Sequence, residues 1–180
     1  MGVAEQLVPV GSWKSDGVHS SVGVEVEHMG VSTFRASFTD FEASLLSGPN
    51  GVELRGGVSV DSFDVRDDGL RPHVMGPEFL DVDHHPELSF QSTALRGEGD
   101  ELVVDGVLAI RGTTRTIQGR GRIGQPIVDP YGNERLALTL ETVIDRTDYG
   151  LDWQMELPSG GVALGNEVKL LVSLELVKQG

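Results

Sequence analysis

The sequence contains no cysteine, so it has no means of building a disulfide framework, a thiolate metal site or a thiol nucleophile. Basic residues are scarce. Lys and Arg total 14 against 28 Asp and Glu, and the resulting formal charge of −14 repels nucleic acid and anionic lipid surfaces. No apolar run approaches the roughly 18 residues of a spanning helix, so stable membrane insertion is not expected. The opening stretch, MGVAEQLVPVGSW, has neither the basic n-region nor the apolar core of an export signal, and Gln6 breaks the myristoylation pattern; a cytoplasmic location is expected. Helical periodicity is almost absent. With 24 glycines against 8 prolines and 38% hydrophobic residues, the composition favours many turns and bulges, that is, an all-β chain. At 180 residues it is most simply one domain, 1–180.

What is present is period two. Val22, Val24 and Val26 alternate with Gly23, Glu25 and Glu27 over 22–28, giving one core face and one water face. Residues 34–45 repeat the pattern with Phe34, Ala36 and Phe38, then slip phase at Thr39-Asp40 before Phe41, Ala43 and Leu45; an inserted residue of that kind is read as a β-bulge. Further alternating runs cover 52–63, 88–93, 101–111, 113–123, 135–145 and 167–178, which makes eight strands with mostly short antiparallel connections. Eight strands with one apolar face can close into a barrel that leaves no exposed edge and holds one ligand. A β-sandwich satisfies the alternation equally well.

One stretch interrupts the pattern. Between Ser62 and Leu88 the chain is polar and broken by Gly69, Pro72, Gly76, Pro77 and Pro86, and it reads as a short helix near 66–71, capped by Asp64, followed by a turn that returns Phe79, Leu80 and Val82 to the sheet. This insert follows the third strand.

Asp61-Ser62, Arg66-Asp67, Leu70-Arg71, the 78–82 turn EFLDV, Pro86 and the run Phe90-Gln91-Ser92-Thr93 resemble, in order and spacing, the signature segment of the YceI-like, polyisoprenoid-binding, lipocalin-like family. Trp13, Asp16, His19-Ser20 and His28-Met29 resemble its opening. Ile110-Arg111-Gly112 and Thr114 resemble its middle strand pair, and Ile144-Asp145-Arg146 with Tyr149-Gly150-Leu151 its late turn. The resemblance implies an eight-stranded antiparallel lipocalin-like barrel with a short helical insert after the third strand. It also implies a pore for an elongated isoprenoid lipid. Leu80 stands where the family often carries a second aromatic.

The chemical motifs are weak. Asp81, Asp83, His84, His85 and His73 offer metal donors, but the adjacent imidazoles point to opposite sides of an extended chain and no third fixed ligand follows, so a solvated turn is the reading and no metal is expected. Gly119-x-Gly121-x-x-Gly124 matches a dinucleotide fingerprint by letter only, because Pro126 stands where a helix would begin. No nucleophile elbow or triad is visible. His19, His28 and Arg146 are the candidate groups for an enzyme of isoprenoid or lipid metabolism, the alternative function. Arg146 with Asp145 and Asp148 reads instead as a structural ion pair.

The expectation is therefore a non-enzymatic protein without cofactor that binds, stores or transports a polyprenyl or quinone-like lipid. Its ligand-lining residues are expected to be Val24, Val26, Phe38, Phe90, Leu108, Ile110, Leu138, Leu140, Leu170 and Val172. A homodimer is left open.

Overall fold

A computed structural model describes residues 7–180; the reading of residues 1–6 as a polar lead without an export or myristoylation signal lies outside them. Eleven strands form one sheet: β1 (Gly11–Ser15), β2 (Ser21–His28), β3 (Ser32–Phe38), β4 (Phe41–Gly48), β5 (Gly51–Ser59), β6 (Glu87–Glu98), β7 (Glu101–Ile110), β8 (Thr113–Ile123), β9 (Ile127–Val128), β10 (Glu134–Asp145) and β11 (Leu164–Lys178). The sheet order is β3-β2-β11-β1-β4-β5-β6-β7-β8-β10-β9, and β10 also pairs with β11, which closes the ring. Every pairing is antiparallel.

Eleven strands make an eight-stave barrel because three staves are broken, one of them β8 and β9, which pair in turn with the same flank of β10. β11 pairs with β2 through Leu164–Ser173 and with β1 through Leu176–Lys178, so β1 and β2 share one stave with a corner between them. β3 pairs with β2, and β4 with β1 and β5, so these two share the next stave. The stretch read as one bulged strand over 34–45 is thus two strands that change partners at Thr39-Asp40. There Thr39 N–H donates to Ser62 O, and Asp40 O accepts from Ser59 N–H. Register shifts occur elsewhere, in β6 between Ser92 and Ala94 and in β11 between Leu164 and Val168. β1 and β9 escaped the alternation because five and two residues are too short to show it.

The insert lies between β5 and β6, after the third stave. Its helix, α1, spans Arg71–Met75 rather than 66–71. Pro72 in the first turn sets the start, where its missing N–H is no loss. The preceding turn is closed by Asp67, whose Oδ1 accepts from the N–H groups of Gly69 and Leu70; Asp64 does not cap it. Arg71 ties the helix back by donating to Phe63 O at 2.7 Å and to the Asp61 carboxylate at 3.0 Å.

Burial divides the interior into a floor, a wall and a cap. The floor is packed solid by Val8, Trp13, Leu45, Leu102, Leu138 and Leu176, all fully buried. Trp13 Nε1–H donates to Pro9 O at 3.3 Å, and the Lys178 ammonium sits 5.7 Å from the ring centroid. At the opposite end the insert buries Val60, Phe63, Val65 and Met75 against Phe38, with Phe38 and Phe63 rings 4.7 Å apart. The segment after β10 buries Tyr149 and Leu151 against Leu108, Ile110 and Ile144. Among the described residues no helix is long and apolar enough to cross a membrane.

Candidate functional site

Between floor and cap the barrel holds a partly open cavity of about 150 Å³. Its wall is formed by inward positions of nearly every stave, among them Phe38, Phe41, Phe90, Leu108, Leu140 and Leu170, and it is almost wholly apolar. Two causes leave this space open. Gly56 and Gly119 face inward without side chains. The Phe90 ring lies across Gly106 of β7, where an added Cβ would fall 2.5 Å from ring Cε2, so one of the three wall phenylalanines is laid flat against the sheet. Thr142 also borders the cavity, but its hydroxyl is engaged, donating to Gln118 O at 2.8 Å.

Of the ten positions singled out from alternation and resemblance, Phe38, Phe90, Leu108, Leu140, Leu170 and Val172 border this cavity. The other four face inward but lie elsewhere. Leu138 is in the packed floor, Ile110 packs with Ile144 and Tyr149 under the cap, and Val24 and Val26 belong to the upper part of β2 beyond the cavity. Phe41, Leu54, Val58, Leu88, Val104 and Ile117 border it too, and all stand in phase with inward residues of their own strands. Alternation carried their signal; only the level of the cavity along each strand was hidden.

Besides an isolated antiparallel bridge between Phe38 and Phe63, the cap is held by side-chain donors and ring contacts. Arg111 donates to Gly150 O at 3.0 Å and to Pro77 O at 2.5 Å, joining the late segment to the insert. His73 of α1 stacks edge-on against Phe79 and Trp153, centroids 4.8 and 5.0 Å away. Arg146, 3% exposed, donates to four main-chain carbonyls, those of Gly165, Leu151, Trp153 and Leu164, at 2.9, 2.6, 2.8 and 3.5 Å. The structural role expected for it therefore takes another form than an ion pair. No carboxylate lies within 4 Å of Arg146 among the described residues. Asp145 instead caps the following 3-10 turn, Arg146–Tyr149, through Thr147 N–H and Oγ1. Burial lowers the Arg146 pKa, yet a guanidinium so placed keeps its charge at any physiological pH.

None of the groups considered for catalysis or metal binding borders the cavity. His28 is exposed at the end of β2. His19 stands at the β1–β2 corner, where its Nδ1 lies 2.9 Å from Asp16 Oδ2 and 3.5 Å from Glu175. Asp16, His19 and Glu175 are close enough together to share a cation, but Arg135 already supplies one, 2.9 Å from Asp16, 3.5 Å from Glu175 and 2.7 Å from Asp129. The hydrogen bonds from His19 and then Arg135 hold the Asp16 carboxyl well below the usual carboxylate range, and Asp16 in turn raises His19. The Trp13…Asp16…His19-Ser20 run thus builds a corner. In the insert, Asp81 Oδ1 meets His84 Nδ1 at 2.9 Å while His85 stays 4.0 Å away, so that cluster closes a turn.

A sequence model of the YceI-like domain matches residues 13–176. Protein YceI of Salmonella arizonae is 27% identical over 167 residues, 91% of this chain and 84% of its own length. Among solved structures, BcnA of Burkholderia cenocepacia superimposes with a TM-score of 0.75 at 21% identity, covering 92% of this chain and 99% of that one. A polyisoprenoid binding domain from Saccharophagus degradans, implicated in plant cell wall breakdown, does so with 0.63 at 12% identity, covering 93% and 98%. Since one domain model accounts for the chain from the floor tryptophan Trp13 to Leu176 near the end of the closing strand, the chain belongs to the YceI-like domain family.

Proposed function

We propose that the protein is a non-enzymatic carrier or store that holds an elongated isoprenoid lipid, polyprenyl or quinone-like, in the barrel cavity. The observation that supports it most is the almost wholly apolar, internal wall. Burying a prenyl chain there contributes roughly 25 cal/mol per Å² of apolar area removed from water. The solved neighbour described as a polyisoprenoid binding domain supports the same class of ligand. Neither His19, His28 nor Arg146 borders the cavity, which disfavours the enzyme reading. A cavity of about 150 Å³ takes a guest the size of benzene, so a long chain needs the cap to yield.

The test is organic extraction of freshly purified protein followed by mass spectrometry, with Leu108→Trp as the blocked control. Leu108 borders the cavity from β7, and an indole there fills much of the free volume. Prenyl-lipid uptake is expected to fall at least tenfold with β-content unchanged. Equal uptake by the folded variant would count against an internal site.

The headgroup is expected to be neutral. The one cation bordering the cavity, Arg55, is already paired with Glu53, and the net charge of −14 opposes a pyrophosphate. In competition at equal chain length, a neutral prenyl lipid should displace the pyrophosphorylated one. Preference for the pyrophosphate would sink this part of the reading.

A further inference from the structure

Tyr149 is 2% exposed, and among the described residues its hydroxyl is the one buried side-chain polar atom without a hydrogen-bond partner. An unmade hydrogen bond at a buried hydroxyl is destabilising, and Phe would fill the same space without that penalty. The hydroxyl is therefore a local fault in the ligand-free fold. Its surroundings give the fault a meaning. Tyr149 packs in the cluster of Leu108, Ile110, Ile144 and Leu151, against which Leu88, Phe90, Ile117 and Leu170 also pack. Of these, Leu88, Phe90, Leu108, Ile117 and Leu170 are also cavity wall. Tyr149 does not itself border the cavity; it lies in the cap cluster that shares these five wall side chains.

We propose that Tyr149 is the polar anchor of the cavity, donating a hydrogen bond to a neutral acceptor oxygen, of the quinone-carbonyl or amide type, on an otherwise apolar ligand. The proposal rests on the reading of the barrel as a prenyl-lipid site and adds which ligand atom is recognised and by which residue. The ligand oxygen reaches the phenol by rotamer changes of the shared apolar side chains. Thr142, the other hydroxyl at the cavity, is already committed to Gln118 O and has no proton to offer. Burial, and after it the Asp148 charge, push the Tyr149 pKa up, so the donor proton stays in place through neutral pH.

The experiment compares wild type and Tyr149→Phe with two probes of equal chain length, a prenylated benzoquinone and the corresponding prenyl hydrocarbon. The variant is expected to bind the quinone about tenfold more weakly, as one lost hydrogen bond in an apolar site implies, and the hydrocarbon within twofold of wild type. Without ligand, its melting midpoint should rise, because the unpaired hydroxyl is gone. The infrared carbonyl band of the bound quinone should lie lower in wild type than in the variant. Equal affinity of both proteins for the quinone, or equal losses for both probes, would overturn the anchor while leaving the binding reading intact. If wild type takes up neither probe, the binding reading fails and the anchor with it.

Discussion

Arg146→Lys is expected to lower stability by about 3 kcal/mol, and Arg146→Met by about 4–5, because a buried guanidinium there is the donor for four carbonyls. Those carbonyls come from two separated places, Leu151 and Trp153 on one side and Leu164 and Gly165 on the other, and a planar fork spans both. An ammonium presents its donors from one point and leaves at least one side unmet. In a chain of this length each kcal/mol moves the melting midpoint by roughly 2–4 °C, so the lysine variant should melt some 6–12 °C lower. The damage should also reach the ligand. The segment that Arg146 fastens carries Trp153, which stacks on His73 and Phe79 of the insert, so loosening it slackens the cap and shortens retention of bound lipid. Two variants that melt with wild type would refute the architectural role.

The second large effect is steric. At Gly121, where β8 meets β10, an added Cβ would overlap the main-chain carbonyl of Thr139 and lie 2.9 Å from Leu140 Cα. All of these atoms are main chain of β10, so nothing flexible is there to move. Gly121→Ala is therefore expected to destabilise by roughly 3 kcal/mol or more, read as a lower urea midpoint. Gly119, two residues away on the same inward face, is the control. Its added Cβ would meet nothing closer than 3.7 Å, so Gly119→Ala should fold as wild type does. Equal midpoints for the two variants would show that the seam is not tight.

Much of the barrel was legible because the side-chain period of a strand is local: inward and outward positions can be assigned from a few neighbours. What could not be read depends on partners far away in the chain. Thr39-Asp40 looks like a slip of phase, but whether it is a bulge or a change of partner is decided by Ser59 and Ser62, some twenty residues later. Leu138 and Leu140 are two residues apart on one face of β10 and carry the same pattern, yet Leu138 sits in the packed floor and Leu140 borders the cavity. That difference is made across the barrel, by glycines and a flattened ring on other strands. Arg146 was recognised as structural by its place at the end of a strand, while its partners escaped because main-chain carbonyls leave no mark in a sequence.

The separation of a solid floor from a hollow wall also bears on how such a chain can diverge. A floor residue such as Leu176 has neighbours on every side, so a change in its size creates a void or a clash. A wall residue such as Leu170 or Val172 faces empty space, and one of different size can be accepted there by the cavity itself. Selection for a new guest is thus free to act on one layer while folding is secured by another. The usual trade between activity and stability is relaxed at the positions that meet the ligand.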